Sequence, residues 1–373
     1  MTRPIKAFVD TNALKANLSC VRHQSAQSQV LSVVKANAYG HGIERVFEGL
    51  KSSDGFGVLE VCEAQVLRDL GFRGPIVLLE GVFGPRELED CSRLQLWHAV
   101  HCSEQIDWLS RHKTHKAHRV FLKMNSGMNR LGFKPAQFKS VWSRLNALPQ
   151  VEEISLMTHF SDADLPGGVQ LQQSLFEHHT QDLIGERSLA NSASLFLNPL
   201  DNALHQDWVR VGIALYGGSV NYPSQTSIDW DLKPVMSFRS KVIATQDLKA
   251  GDTVGYGSTF TATQPMKIGI VACGYADGYP RSASTGTPIL VNGHLTQTLG
   301  RVSMDMLTVD LSPLQQQLGQ IDPVGAEVTL WGAAQTGERL DIDVVAHHAK
   351  TLAYELMCGL ATRVPFEVID SPD

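Results

Sequence analysis

Val33-Val34-Lys35 places an amine directly behind an apolar run, and Ala36-Asn37-Ala38-Tyr39-Gly40-His41-Gly42 follows it. A lysine leaving an apolar strand is partly desolvated. Desolvation disfavours the ammonium and frees the amine as a nucleophile, which is what a Schiff-base lysine requires. A lysine in that place can also simply snorkel to water. Other polar groups follow apolar runs further along. Asn125-Ser126-Gly127-Met128-Asn129-Arg130 comes after residues 119–124, His159 closes residues 154–159, Asn191-Ser192 follows residues 187–190, and Gly212-Ile213 ends the run that holds Arg210. Gly-containing loops at such ends offer backbone N–H groups to a phosphate. A lysine at one rim and a phosphate cradle at the other suggest pyridoxal 5'-phosphate.

Arg210 reads in two ways. Inside a strand it could pair with a carboxylate, or it could face the pyridine nitrogen of such a cofactor. Arginine keeps its proton, so that nitrogen would stay unprotonated, which favours simple proton transfer. Arg130 could clamp a carboxylate bidentately or lie on the surface; Asn129 and Lys123 are nearby. Tyr256 sits between Gly255 and Gly257, which gives backbone freedom for a close approach. The residues alone do not choose Tyr256 over Tyr275. A tyrosine, with pKa near ~10, needs cationic neighbours to act as a base at neutral pH; His159, Arg130 and Arg210 are the candidates.

Groups this scattered need a scaffold. Eight β-branched or apolar runs, at residues 30–34, 55–59, 75–79, 95–100, 119–124, 154–159, 187–190 and 208–213, start at least 20 residues apart. A parallel crossover needs about a dozen. Most gaps carry a helical pattern, such as Cys62, Val66, Leu67 and Leu70. The alternation predicts an α/β chain with an N-terminal (β/α)8 barrel, whose functional groups gather at the strand ends. Periodicity does not separate a closed barrel from an open doubly wound sheet. Residues 217–231 are polar and aperiodic and mark a boundary. The expected domains are therefore 11–230 and 231–373, with the strand in residues 1–10 joining the second. Residues 238–245, 267–274, 288–291, 295–299, 307–311 and 327–331 read as short strands, with Asn292-Gly293 as a hairpin turn. Residues 341–360 read as one helix with Ile342, Val345, Ala349, Leu352, Ala353 and Leu356 on one stripe and Asp341 as N-cap. The second domain is expected to be mostly β.

The composition narrows the function. The chain has 373 residues, is 43% hydrophobic, and carries a net charge of −6. That argues against a nucleic-acid binder and against disorder. No apolar run is long enough to span a bilayer, and the first residues do not resemble a secretory signal, so a cytoplasmic location is expected. Six cysteines show no C-x-x-C spacing and read as reduced, mostly buried thiols. His112, His115 and His118 recur every three residues, whereas zinc pairs on helices use i and i+4. They read as a solvated connector, and no metal is expected.

The motifs together resemble the alanine racemases. The match consists of residues 33–42 (VVKANAYGHG), 125–133 (NSGMNRLGF), 158–160 (THF), 191–193 (NSA), 210–217 (RVGIALYG), 254–257 (VGYG), 274–278 (GYADG) and 300–305 (GRVSMD), with Tyr354-Glu355 and Arg363-Val364-Pro365. It runs in order along almost the whole chain. The resemblance implies a homodimer whose active site lies between one barrel and the partner's β domain. It implies that Lys35 carries pyridoxal phosphate and acts as base on one face of alanine. Tyr256 would come from the other chain and act on the opposite face. Arg130 and the Met304 backbone would bind the substrate carboxylate. Tyr39, Asn191, Ser192, Gly212, Ile213 and Tyr354 would hold the cofactor, with Arg210 at the pyridine nitrogen. His159 would link Arg210 to Tyr256, while Tyr275 and Arg281 would line the entrance. Lys123 matches a lysine carbamylated in some members. Val211 stands where many members have proline.

Three classes are weighed: an alanine racemase; a related decarboxylase or broad-specificity racemase; and a non-catalytic cofactor-binding protein. The decarboxylases carry a Gly-rich phosphate motif and a catalytic cysteine segment not found here, and the broad-specificity racemases usually carry a leader. The cofactor-binding proteins usually lack the region of Tyr256 and Met304.

Overall fold

The protein is described from a computed structural model covering residues 3–25, 27–113, 116–314 and 323–370. Strand β1 (Lys6–Asp10) leads into a helix at Thr11–Ser25. Eight strands follow: β2 (Gln29–Val33), β3 (Gly55–Val58), β4 (Ile76–Leu78), β5 (Trp97–Val100), β6 (His118–Lys123), β7 (Val151–Met157), β8 (Arg187–Ser188) and β9 (Trp208–Val211). They form one sheet in the order β8-β7-β6-β5-β4-β3-β2-β9, with every pair parallel. The two edges meet. Arg210 N donates to Ala190 O at 2.9 Å and Ser188 Oγ to Trp208 O at 2.8 Å. The expected (β/α)8 barrel is therefore present, and the open sheet is not.

Alternation along the strands sorts the side chains. Leu31, Val77, Ala99, Phe121, Met157 and Trp208 form a separate cluster from six different strands. Their opposite-facing neighbours, such as Val30, Val100, Val120 and Val209, join the larger core under the helices. Truncating such a buried side chain to alanine typically costs about 2–5 kcal/mol, so both layers stabilise the strands whose ends carry the polar groups.

The second domain comprises β10 (Met236–Leu248), β11 (Thr253–Val254), β12 (Phe260–Thr261), β13 (Met266–Val271), β14 (Pro288–Val291), β15 (His294–Leu299), β16 (Leu307–Asp310), β17 (Glu327–Ala333), β18 (Arg339–Leu340) and β19 (Phe366–Ile369). It is mostly β, as expected. A nine-stranded sheet runs β18-β17-β14-β15-β16-β13-β10-β1-β19. β1 pairs antiparallel with β10 and parallel with β19. Asn292 and Gly293 have φ of 48° and 79° and join β14 to β15 with Val291 opposite His294. That is the two-residue hairpin the dipeptide predicts.

Four expectations need correction. Residues 341–360 are not one helix but two, Ile342–His348 and Ala353–Cys358. Lys350 takes φ 57°, Thr351 N returns to Ala346 O at 2.9 Å, and Leu352 is exposed. The apolar stripe continued in sequence because both short helices face the same core. Asp341 precedes the first helix without capping it by its side chain; it is bonded to Ser227 and Arg339 instead. His118 is buried rather than solvated. It packs against His98 with ring nitrogens 3.3 Å apart, while His115 lies outside the described residues. The cysteines are free, but Cys62 and Cys358 are exposed.

Candidate active site

The strand ends converge on a cavity of about 270 Å3. Lys35 reaches it from β2. The four residues after Lys35 take positive φ, from 49° to 56°, and so wind one left-handed turn. Left-handed helical geometry costs non-glycine residues about 1–2 kcal/mol each. The turn is held by Ala38 N donating to Val34 O (2.7 Å), Gly40 N to Ala36 O (3.0 Å) and Ile43 N to the Asn37 side chain (3.0 Å). At Gly40 an added Cβ would lie 2.2 Å from Met357 O, so only glycine fits there. The turn carries Tyr39 into the cavity wall, edge-on to Tyr216 at 4.8 Å and to Tyr354 at 5.8 Å. Burial pushes the Tyr39 hydroxyl well above the usual phenol range, so it remains a proton donor, while Tyr354 is the more exposed of the two.

The opposite wall is a cradle of small groups. Asn191 caps the short helix Ser192–Leu197 by accepting from Ser194 N at 3.0 Å. Ser192 Oγ accepts from Gly212 N at 3.0 Å. A Cβ at Gly212 would sit 2.3 Å from the Tyr39 hydroxyl, so the close approach of these two walls depends on glycine. Asn191, Ser192, Gly212 and Ile213 all line the cavity with Tyr39 and Tyr354.

The floor is cationic. Arg210 is buried, and its guanidinium donates to Ser188 O (2.8 Å), Ser188 Oγ (2.6 Å), Thr158 O (2.6 Å) and Leu189 O (3.2 Å). Its fifth contact is His159 Nδ1 at 3.4 Å. None of these partners is a carboxylate, so the strand ion-pair reading of Arg210 does not hold. Burial pushes Arg210 down to about 10, which leaves it charged at neutral pH. His159 is pushed down to about 2, by burial first and then by Arg210. Lys123 is buried and pushed down to about 8 by burial, then by Arg210 and Arg130. Arg130 lines the rim, while Asn129, at φ 55°, is fixed by Asn125.

One lining group escaped the sequence reading. Glu80 follows β4 and faces the same cavity. Its signal was the one used for Lys35, an ionisable residue directly after an apolar run.

Tyr256, Tyr275 and Met304 are elsewhere. They sit on the second domain, none lines the cavity that holds Lys35, and all three are exposed, Tyr256 at 74%. Tyr256 is flanked by Gly255 and Gly257, both at positive φ. Arg281 is exposed as well. A single chain therefore brings together eleven of the predicted residues, Lys123 included, and leaves these apart.

A larger cavity of about 570 Å3 lies at the other end of the barrel, by Arg68, Trp97 and His118. It holds no comparable chemistry; Arg68 there donates to the carbonyls of Leu94, Phe72, Gly74 and Gln95. Among the described residues no group of three His, Cys, Asp or Glu side chains could hold a metal, and no helix is long and apolar enough to cross a membrane.

Comparison with known proteins agrees with the geometry. Residues 9–220 match the family model "Alanine racemase, N-terminal domain", and residues 235–368 match "Alanine racemase, C-terminal domain". The chain is 61% identical over 369 residues to an alanine racemase of Paracidovorax citrulli, covering 99% of this chain and all of the relative. It is 60% identical over 365 residues to one from Methylibium petroleiphilum, covering 98% of each. Among solved structures it is similar to the biosynthetic alanine racemase of Pseudomonas aeruginosa, with a TM-score of 0.91 and 40% identity over 99% of this chain and 100% of that one.

Proposed function

The chain belongs to the alanine racemase family, and we propose that it interconverts L- and D-alanine by two-base proton transfer, with pyridoxal phosphate held in the Lys35 cavity. The observation that carries this reading is the cavity itself: an amine at one rim, a glycine-dependent cradle at the other, and a buried arginine between them. The donor set fits the cofactor. Lys35 would hold its carbon end; Ser192 Oγ, the Gly212 and Ile213 backbone, and the Tyr39 and Tyr354 hydroxyls would hold its phosphate. Asn191 would keep the Ser192 turn in place. When bound, pyridoxal phosphate supplies an electron sink that acidifies the Cα–H of an attached amino acid.

The chain's own groups do the rest. Inversion requires a proton removed on one face and returned on the other. The Lys35 amine serves one face. Arg130 holds the substrate carboxylate at the rim. Arg210 presents a fixed cation that keeps its proton, so it would face the pyridine nitrogen of the cofactor without protonating it. The second base is Tyr256. Because Tyr256 is exposed and away from its own cavity, it acts in the cavity of a second copy, with Met304 and Tyr275 beside it. A two-fold dimer satisfies this reciprocally. Neutral His159, held by Arg210, turns its other nitrogen to that tyrosine. Covering the cavity with the partner's domain also excludes water. Arg281 lines the approach. The reaction is placed in the cytoplasm, supplying D-alanine for peptidoglycan or taking part in alanine catabolism.

The test is Cα–H exchange in D2O followed by NMR, with pyridoxal phosphate and L-alanine, L-serine or L-lysine. Exchange with D-product from alanine alone is expected. Exchange with lysine would make it a broad-specificity racemase, and no exchange with any substrate would refute the assignment of roles.

A further inference from the structure

The Tyr275–Asp277 turn and the loop holding Met304 are joined by an ion network. Asp277 ends the turn, and its carboxylate is fully buried. Oδ1 accepts from Arg3 and from Arg363 Nε, the latter at 2.8 Å; Oδ2 accepts from Gly274 N at 2.9 Å. Each arginine then reaches Asp305, the residue after Met304. Arg3 donates to the Asp305 carbonyl, and Arg363 Nη2 donates to Asp305 Oδ1 at 2.6 Å. The backbones are hooked together as well. Tyr275 N donates to Ser303 O (3.0 Å) and Ala276 N to Met304 O (2.9 Å). A Cβ at Gly274 would lie 2.4 Å from both of those carbonyls.

We propose that Asp277, Arg3 and Arg363 are positioning residues that set the Tyr275 turn against the Met304 loop, and so fix the substrate-facing edge of the second domain. This rests on the reading above, in which that edge closes a partner's cavity. The topology explains the source of the two arginines. β1 and β19 are parallel neighbours with Ala7 opposite Phe366. Arg3 and Arg363 precede those strands and arrive side by side. Two guanidiniums meet two carboxylates, so the buried Asp277 charge is compensated. Burial pushes the Asp277 carboxyl up, but Arg3, Gly274 N and Arg363 together hold it below its usual value. The fork of an arginine spans two acceptors in fixed directions; a lysine is a single point charge and cannot. Tyr275 and Met304 themselves are exposed, so core packing does not hold their side chains in place.

The test is Arg363→Lys, which keeps the charge and removes the fork. Amide exchange by NMR or mass spectrometry should rise about tenfold at Tyr275 and Ala276 with barrel amides unchanged. In the holoenzyme KM for L-alanine should rise about tenfold with a smaller fall in kcat and unaltered cofactor absorbance. Unchanged exchange at those amides, or a uniform rise across the second domain with wild-type kinetics, would overturn the proposal. Wild-type protein that exchanges no alanine Cα proton would refute the functional reading instead, and the amide measurement would still decide the positioning role. Asp277→Asn should give the same local pattern more strongly; if it does not fold, Arg363→Lys carries the decision.

Discussion

Arg210 Nη2 points at His159 Nδ1 from 3.4 Å, which requires that nitrogen to be an acceptor and the imidazole to be neutral. Burial and the arginine charge push His159 to about 2. Ring nitrogens of His159 should therefore show no titration in 15N NMR between pH 8 and pH 5. Protonation near pH 6.5 would mean that Arg210 and His159 are not in contact in solution.

Mixed dimers test the sharing of sites. Lys35→Ala and Tyr256→Phe should each lower kcat by roughly 10²–10⁴-fold with the fold retained. If the tyrosine acts in the partner's cavity, refolding equal amounts of the two inactive variants together restores one intact site in each heterodimer. Activity should then return to about a quarter of wild type. No recovery would place both groups in one chain.

Gly212→Ala should weaken cofactor binding, because the new methyl meets the Tyr39 hydroxyl at 2.3 Å. Forcing it in costs about 1–3 kcal/mol, read as a higher pyridoxal phosphate Kd by absorbance titration. Gly212→Ala should cost less when made in Tyr39→Phe than in the wild type, because the hydroxyl it meets is then gone.

Lys123 is pushed down to about 8, so a sizeable fraction is free amine in mildly alkaline solution. A free amine adds to carbon dioxide, releasing one proton and leaving a carboxylate. Arg210 and Arg130, the charges that depress Lys123, would favour that anion. Protein equilibrated with 13C-bicarbonate at pH 8 should give a carbamate carbon signal that Lys123→Ala lacks.

His98 and His118 are buried, and burial pushes them to about 3 and about 4. Their folded values lie below the unfolded one, so their stabilisation is present above pH ~6.5 and is lost as pH falls toward the folded values. Each should cost about 2 kcal/mol between pH 7 and pH 5. Urea denaturation at the two pH values measures it, and His98→Gln should remove about half. Equal stability at both would show that the imidazoles are solvated.

The strand-end chemistry was readable in the chain because it is local. An apolar run followed by Lys35, His159 or Asn191-Ser192 marks both a strand and its polar end within ten residues, and eight such runs spaced for crossovers lead to a barrel. Asn292-Gly293 was likewise readable, since two residues hold the whole turn geometry. Glu80, which follows the apolar strand β4 and lines the same cavity, carries the same local mark.

The remaining features depend on contacts between distant segments, to which periodicity is blind. Gly40, which ends the left-handed turn at residues 36–39, lies against the Met357 backbone, more than 300 positions away. The helix break at Lys350 is hidden in the sequence because Ile342, Val345, Ala349, Ala353 and Leu356 all bury against one core, while Leu352 turns outward. His118 reads as surface in sequence and is buried because β5 brings His98 against it. Arg3 and Asp277 are 274 positions apart, and nothing near either announces the other. The parallel pairing of β1 with β19 sets Arg3 beside Arg363, and both then meet Asp277. Residue type and order therefore set which chemistry was available and at which strand ends, while folding chose which side chains share a cavity and which, like Tyr256, are left facing outward.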